Sequence, residues 1–178
     1  KQGNIYMTSF SSSAKKTVSY LFKKFSLDPK NSVLIDVGSG KGKVIILWNK
    51  LFKNNSPLLV GIEYSHELYD ICEKNLKKLS VTNYLLFNRD IKEVDFNFNK
   101  EINIFYLYDP FKVDMLKSFI SKIKLLNCFV IYIHPVHNSL FFDENFLLIH
   151  RQDNSWHPSQ NFMIFSNLKS SQYNKNSF

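Results

Sequence analysis

The sequence predicts an α/β fold in which a mostly parallel sheet carries helices on both faces. Short apolar runs suited to buried strands alternate with stretches of helical periodicity along most of the 178 residues. A glycine-rich turn joins the first such run to the next helix, at residues 36–42. The last two apolar runs, residues 146–151 and 162–165, have no long helix between them, and so short a connection favours antiparallel pairing.

The predicted elements follow one another in a regular order. Residues 13–25 carry apolar side chains at helical spacing and predict an amphipathic helix ahead of the first strand. Five strands are predicted at residues 33–35, 58–62, 84–87, 102–108 and 129–133. Helices are predicted at residues 41–53, 65–79 and 111–125, with a turn or brief helix in segment 91–100. Strands that alternate with helices in this way form a parallel sheet through right-handed crossovers.

The glycine-rich turn has the sequence D-V-G-S-G-K-G over residues 36–42. Glycine lets the backbone approach a ligand closely, and the amides that open the following helix favour anionic or oxygen-bearing groups. The spacing departs from the dinucleotide pattern G-x-G-x-x-G, because Lys43 stands at the third glycine position. No P-loop string is present. The turn therefore predicts a nucleotide-like ligand, with contacts from Asp36, Gly38, Ser39, Gly40 and Gly42.

An acid at the end of the second predicted strand supports the same ligand class. Glu63 lies 21 residues after Gly42, close to the distance expected for a carboxylate that binds ribose hydroxyls. A carboxylate accepts two hydrogen bonds, and the ribose diol donates two. Glu63 can also serve the helix that starts near Ser65 as an N-terminal acid, and Tyr64 beside it is a further candidate contact.

Two later predicted strands end in Asp90 and in Asp109-Pro110-Phe111. Together with the turn and Glu63, these residues resemble those of small stand-alone bacterial class I S-adenosylmethionine (SAM) methyltransferases. The resemblance implies a Rossmann-like seven-stranded sheet with order 3-2-1-4-5-7-6 and an antiparallel last strand. It implies one domain over residues 1–178, in which residues 1–12 lie over the cofactor and residues 167–178 form a polar tail. The implied cofactor is SAM, and the product is S-adenosylhomocysteine (SAH).

The resemblance also assigns roles to residues outside the turn. Asp90 would accept the adenine amino group, Ile91 would pack on the adenine face, and Tyr6 would contact the methionine end of SAM. The substrate-facing motif would be Asp109-Pro110-Phe111, with Asp109 next to both cofactor and acceptor. Amine-methylating members of the family have two prolines in this motif, and this sequence has one. The motif therefore does not identify which atom accepts the methyl group. Asp followed by Pro is also a good helix start, and we expect that capping role in addition.

The implied reaction is methyl transfer to a nucleophile, in which alignment can supply much of the catalysis. A base is needed only where the acceptor must lose a proton before attack. The candidate bases are Asp109 and His134, and His137 is a candidate substrate contact. Both histidines are also compatible with a hydrogen-bonded turn at residues 134–138.

The formal net charge of +8 leaves the partner open. A positive charge is typical of proteins that bind nucleic acid. It can also result from a biased composition, and two observations favour that explanation: lysines occur in every predicted helix, and only Arg89 and Arg151 are arginines. We therefore favour a small molecule or a protein side chain as the methyl acceptor. A nucleic-acid methyltransferase and a SAM-binding domain without activity stay open as alternatives, whereas Lys43 disfavours an NAD(P)-dependent oxidoreductase.

The remaining sequence features concern location and metal binding. No apolar stretch is long enough to span a membrane, and residues 1–4 show no apolar signal region. Cys72 and Cys128 are expected to be buried thiols of a cytoplasmic protein. No cluster has metal-ligand spacing, so no metal and no membrane contact are expected.

Overall fold

A computed structural model describes residues 11–53, 55–108, 111–154 and 157–169. The sequence-based expectations for Tyr6, Asp109 and Pro110 fall outside these residues.

The predicted sheet is confirmed, with seven strands in the order β3-β2-β1-β4-β5-β7-β6. The strands are β1 Ser32–Val37, β2 Leu58–Glu63, β3 Tyr84–Asn88, β4 Ile102–Tyr108, β5 Cys128–Ile133, β6 Leu147–Gln152 and β7 Phe162–Ser166. The first five pair in parallel, whereas β7 is antiparallel to both β5 and β6. Carboxyl ends of parallel strands meet at one edge of the sheet, which is where open α/β sheets bind ligands.

The helices occupy the predicted positions, with one short addition. They are α1 Ser11–Lys24, α2 Lys43–Phe52, α3 His66–Lys78, α4 Val113–Ile123 and α5 Ser139–Asp143. The predicted brief helix after β3 is a 3-10 turn at Ile91–Glu93. The five-residue α5 was not predicted, because so short a helix gives almost no periodicity; Phe141 anchors it in the core.

Two hydrophobic cores lie on opposite faces of the sheet, because successive strand residues point to opposite sides. On one face Leu34 and Leu59 pack with α1, α2 and α3. On the other, Val33 and Val60 pack with α4 and α5. Every residue of β1 is buried, so the strand that leads into the glycine turn is a fixed base for it.

The first two helices are joined to each other as well as to the sheet. The Trp48 indole Nε1 donates to the Ala14 carbonyl at 3.1 Å. Further along, the rings of Phe22 and Phe52 meet edge to face with centroids 4.8 Å apart. The layer formed by α1 and α2 is therefore rigid and continuous.

Candidate functional site

A cavity of about 490 Å³ opens at the carboxyl ends of β1, β2 and β3. Six of its lining residues were predicted from sequence as ligand contacts: Gly38, Glu63, Tyr64, Asp90, Ile91 and Phe111. Six were not: Val37, Ile62, Ser65, Leu68, Arg89 and Met115. The structure thus brings the glycine turn, the acid after β2 and the acid after β3 together around one space, as the sequence predicted.

Backbone hydrogen bonds hold the glycine turn against β2. The amides of Gly38 and Ser39 both donate to the Ile62 carbonyl, at 2.9 and 3.0 Å. The Gly42 amide donates to the Ser39 carbonyl at 2.9 Å and closes the turn. The turn is therefore fixed in place by the chain itself.

Glu63 links the turn to the start of α3. Its Oε2 accepts a hydrogen bond from the Gly40 amide at 2.9 Å, and its Oε1 accepts one from the Ser65 amide at 2.8 Å. A carboxylate oxygen can accept a second bond, so both oxygens retain capacity towards a ligand diol. The contact with Ser65 is the helix-start role expected from the sequence, whereas the link to Gly40 was not predicted. Both roles add to the place of Glu63 on the cavity wall.

Two glycines of the turn differ in what surrounds them. A Cβ atom on Gly40 would meet nothing within 4 Å, and the backbone there has a φ of +53°. A Cβ on Gly42 would lie 2.7 Å from the Cys72 sulfur. Gly40 thus leaves open space beside the turn, whereas Gly42 permits close packing of α2 on α3.

Asp36 and Ser39 were predicted as ligand contacts, but both are buried and do not line the cavity. Asp36 precedes the cavity residue Val37 in β1, and strand alternation directs the two side chains to opposite faces of the sheet. Burial, with a smaller contribution from the charge of Glu63, raises the pKa of Asp36 to about 8. Asp36 is therefore a protonated acid at neutral pH, located behind the turn.

Burial also raises the pKa of the Cys72 thiol to about 12, with a further contribution from Asp36. Cys128 is likewise buried and free. The expectation of two buried thiols is confirmed, and neither has the thiolate character that reactivity requires.

The far wall of the cavity combines an acid with apolar side chains. Asp90 Oδ1 accepts the Lys92 amide at 2.9 Å and caps the 3-10 turn at Ile91–Glu93. Its Oδ2 has no hydrogen-bond partner among the described residues. Ile91 lies beside it, with Phe111 and Met115 on the same cavity. Such a wall suits a flat aromatic group that carries an amino substituent.

Two of the unpredicted lining residues have a recognisable signal. Leu68 and Met115 fall in the first turns of α3 and α4, the helices that follow β2 and β4. First-turn residues after a parallel strand border the same sheet edge as the strand end. No sequence pattern identifies Arg89 as a lining residue, because its position between β3 and Asp90 does not predict where its side chain points.

The predicted acceptor residues lie at the ends of other strands. His134 follows β5 directly, and its φ of 52° is in the left-handed region. Its amide donates to the Asn161 carbonyl at 2.8 Å. The His137 carbonyl accepts the Leu140 amide in the turn before α5, at 3.3 Å. Neither histidine lines the described cavity.

Two further observations concern the described residues as a whole. None of their helices is long and apolar enough to cross a membrane. They contain no group of three or more His, Cys, Asp or Glu residues suited to hold a metal ion.

One family of known proteins matches the sequence over residues 4–95, more than half of the chain. It is described as protein-L-isoaspartate(D-aspartate) O-methyltransferase. The matched segment contains the glycine turn, Glu63, Asp90 and Ile91. No curated protein is similar enough in sequence to match the chain.

Several solved structures share the fold. Magnesium protoporphyrin IX methyltransferase from Synechocystis, solved with SAH bound, is 12% identical with a TM-score of 0.63, over 87% of this chain and 80% of that one. A SAM-dependent methyltransferase from Aquifex aeolicus is 14% identical with a TM-score of 0.59, over 89% of this chain and 97% of that one. Precorrin-6y C5,15-methyltransferase from Geobacter metallireducens is 14% identical with a TM-score of 0.59, over 87% and 88%. The fold is that of class I methyltransferases.

Proposed function

Because the chain belongs to the protein-L-isoaspartate(D-aspartate) O-methyltransferase family, its activity is SAM-dependent methyl transfer, and we propose that the acceptor is a nitrogen or oxygen atom of a small molecule or a protein side chain. The observation that supports SAM binding is the cavity of about 490 Å³ in which the matched segment brings Gly38, Glu63 and Asp90 together. The family description, which names a protein side chain as the acceptor, supports the proposed acceptor class. We further propose that residues 1–178 form one domain.

The residues present fit the cofactor. The open space beside Gly40 admits a ligand close to the backbone, where any side chain would intrude. Glu63 retains acceptor capacity for the ribose diol, and Asp90 Oδ2 can accept from the adenine amino group. Ile91, Phe111 and Met115 supply apolar surface for the adenine ring.

When bound, SAM supplies a methyl group made electron-poor by its sulfonium, so a correctly placed nucleophile can attack without further activation. The task of the chain is therefore to hold and orient. Hydrogen bonds from Gly38 and Ser39 to Ile62 fix the turn before any ligand arrives. A site fixed in advance loses little entropy when the reaction partners are aligned.

We propose that the methyl acceptor binds near the ends of β4 and β5. Tyr108 of β4 pairs with Ile133 of β5, the residue that precedes His134. His134 would take a proton from an acceptor that must lose one, as an amine or hydroxyl does; Asp109 is the other candidate base. An ionised carboxylate, the acceptor named in the family description, needs no base.

Transfer of a labelled methyl group from SAM tests the proposal. A peptide with one isoaspartyl residue and the matching aspartyl peptide form the first pair of acceptors, followed by small amines, phenols and an RNA oligomer. The proposal expects SAH formation together with label on one of the peptide or small-molecule acceptors. Label on RNA alone would indicate the nucleic-acid methyltransferase, and SAM binding with no turnover on any acceptor would indicate the inactive binding domain.

A further inference from the structure

The net charge of the chain is confined to its first 53 residues. Residues 1–53 contain ten lysines and two acids, which accounts for the whole of the +8. Residues 54–178 contain 13 basic and 13 acidic residues and are neutral. A biased composition explains why lysine is frequent, but it does not explain why the acids are missing from one segment.

In the fold, this segment supplies the paired helices α1 and α2. Neither helix contains an acidic residue. The two acids of residues 11–53 are Asp28, which caps a short 3-10 helix, and Asp36, which is buried. Lys43, the first residue of α2, is also exposed. The other exposed basic residues of the two helices and of the position after α2 define the lysine face: Lys16, Lys23, Lys24, Lys50 and Lys53.

The lysine face lies apart from the cofactor cavity, whose lining includes no residue of α1 or α2. On α1, Ala14, Val18 and Leu21 are fully buried against the sheet, and Phe22 is half-buried against Phe52. A helix that binds a lipid surface needs exposed apolar anchors next to its basic residues. The basic side of α1 exposes Ser19 instead, so the face suits a hydrated polyanion and not a membrane.

We propose that the lysine face of α1 and α2 binds the phosphate backbone of single-stranded RNA. Lys16 and Lys23 are seven residues apart on α1, which is two turns or about 10.5 Å. Close packing of α1 on α2, through Trp48 and Ala14, sets Lys50 and Lys53 on the neighbouring helix of the same layer. Lysines act as point charges that bind phosphates without reading sequence.

RNA fits better than DNA because the exposed Ser19 hydroxyl, between Lys16 and Lys23, can bond the ribose 2′-hydroxyl. The described part of the face is a side-by-side pair of helices and shows no projecting element that could enter a groove, so a flexible single strand fits better than a duplex. The inference assigns a binding partner and does not depend on which atom receives the methyl group.

Fluorescence anisotropy with a labelled single-stranded oligouridylate tests it on the full chain. The test variant is K16E/K50E, and the matched control is K78E/K117E, which places the same charge change on exposed residues of α3 and α4. We expect wild-type binding at about 50 mM salt that weakens steeply towards about 200 mM. K16E/K50E should weaken binding at least about tenfold and flatten the salt dependence, whereas the control should change it less than about twofold.

Three results would overturn the proposal. They are no binding at the lower salt, equal losses in both double variants, and tighter binding to anionic vesicles or to single-stranded DNA of matched length. Thermal melts accompany each variant, and K16Q/K50Q replaces K16E/K50E if the latter fails to fold. SAM affinity, measured on the same samples, should not change in either variant, so failure here is separate from failure of the methyl-transfer proposal.

Discussion

The cofactor side and the acceptor side of the molecule are built in different ways. At the ends of β1, β2 and β3, the backbone of the glycine turn and side chains one or two residues beyond each strand surround one cavity. At the ends of β4 and β5, His134 is held by a contact to Asn161, 27 residues further along the chain. The proposed cofactor site is therefore encoded locally, strand by strand, whereas the proposed acceptor site depends on how distant loops meet.

The largest expected effect concerns Gly40. Substitution by valine would place a branched side chain in the open space beside the turn, at a φ of +53° that costs a β-branched residue about 1–3 kcal/mol. We expect SAM and SAH binding to be lost, while thermal unfolding still shows a cooperative transition. Calorimetry checks the affinity; a folded G40V protein that binds SAM as the wild type does would remove the turn from the site.

A smaller effect is expected on the acceptor side. His134→Asn keeps a residue that tolerates left-handed backbone but removes the imidazole. If His134 moves the acceptor proton, turnover should fall about a hundredfold with unchanged SAM affinity.

His150→Gln serves as the control, because His150 lies within β6 and has no part in the proposed site, and it should stay within about twofold of wild type. Equal losses in both variants would mean that the imidazole of His134 has no special part in the reaction.

The smallest effect on function is expected at Asp36, where the predicted change is one of stability. The folded state keeps Asp36 protonated up to a pKa of about 8, against an ordinary value of 3.8. Between these values the folded state binds a proton that the unfolded state has released, so stability falls as pH rises, by about 1.4 kcal/mol per pH unit. Asp36→Asn should remove this slope. Urea titrations between pH 5 and pH 8 measure it, and an identical slope in both proteins would show that Asp36 is ionised when folded.

The sequence predicted the fold well because apolar runs, helical periodicity and the missing last helix are each local patterns. It placed Glu63 and Asp90 at the cavity for the same reason, since a residue at or just after the end of a parallel strand lies at the binding edge of the sheet; their contacts with the cofactor stay a prediction. The predicted contacts Asp36 and Ser39 are buried and do not line the cavity, because a motif identifies a turn without showing which side chains face the ligand. The sequence did not identify Arg89 as a lining residue, because the direction of a side chain after a strand end depends on the rest of the fold.

The distribution of charge over the surface could not be predicted from the sequence either. Lysines occur along the whole chain, so composition alone favoured no partner. The structure adds that α1 and α2 pack side by side and contain no acidic residue, so that their lysines form one positively charged surface.

The central claim is that SAM binds in the cavity beside Glu63. Calorimetry with SAH on wild type, Glu63→Gln and Glu67→Gln tests it most directly, because Glu67 is an equivalent acid on α3 that does not line the cavity. Glu63→Gln replaces one acceptor oxygen that serves both the turn and the ligand, so we expect affinity to fall about ten- to hundredfold, a loss of about 1.4–3 kcal/mol. Glu67→Gln should bind as wild type does. Equal affinity in all three proteins, or no SAH binding by wild type, would contradict the account.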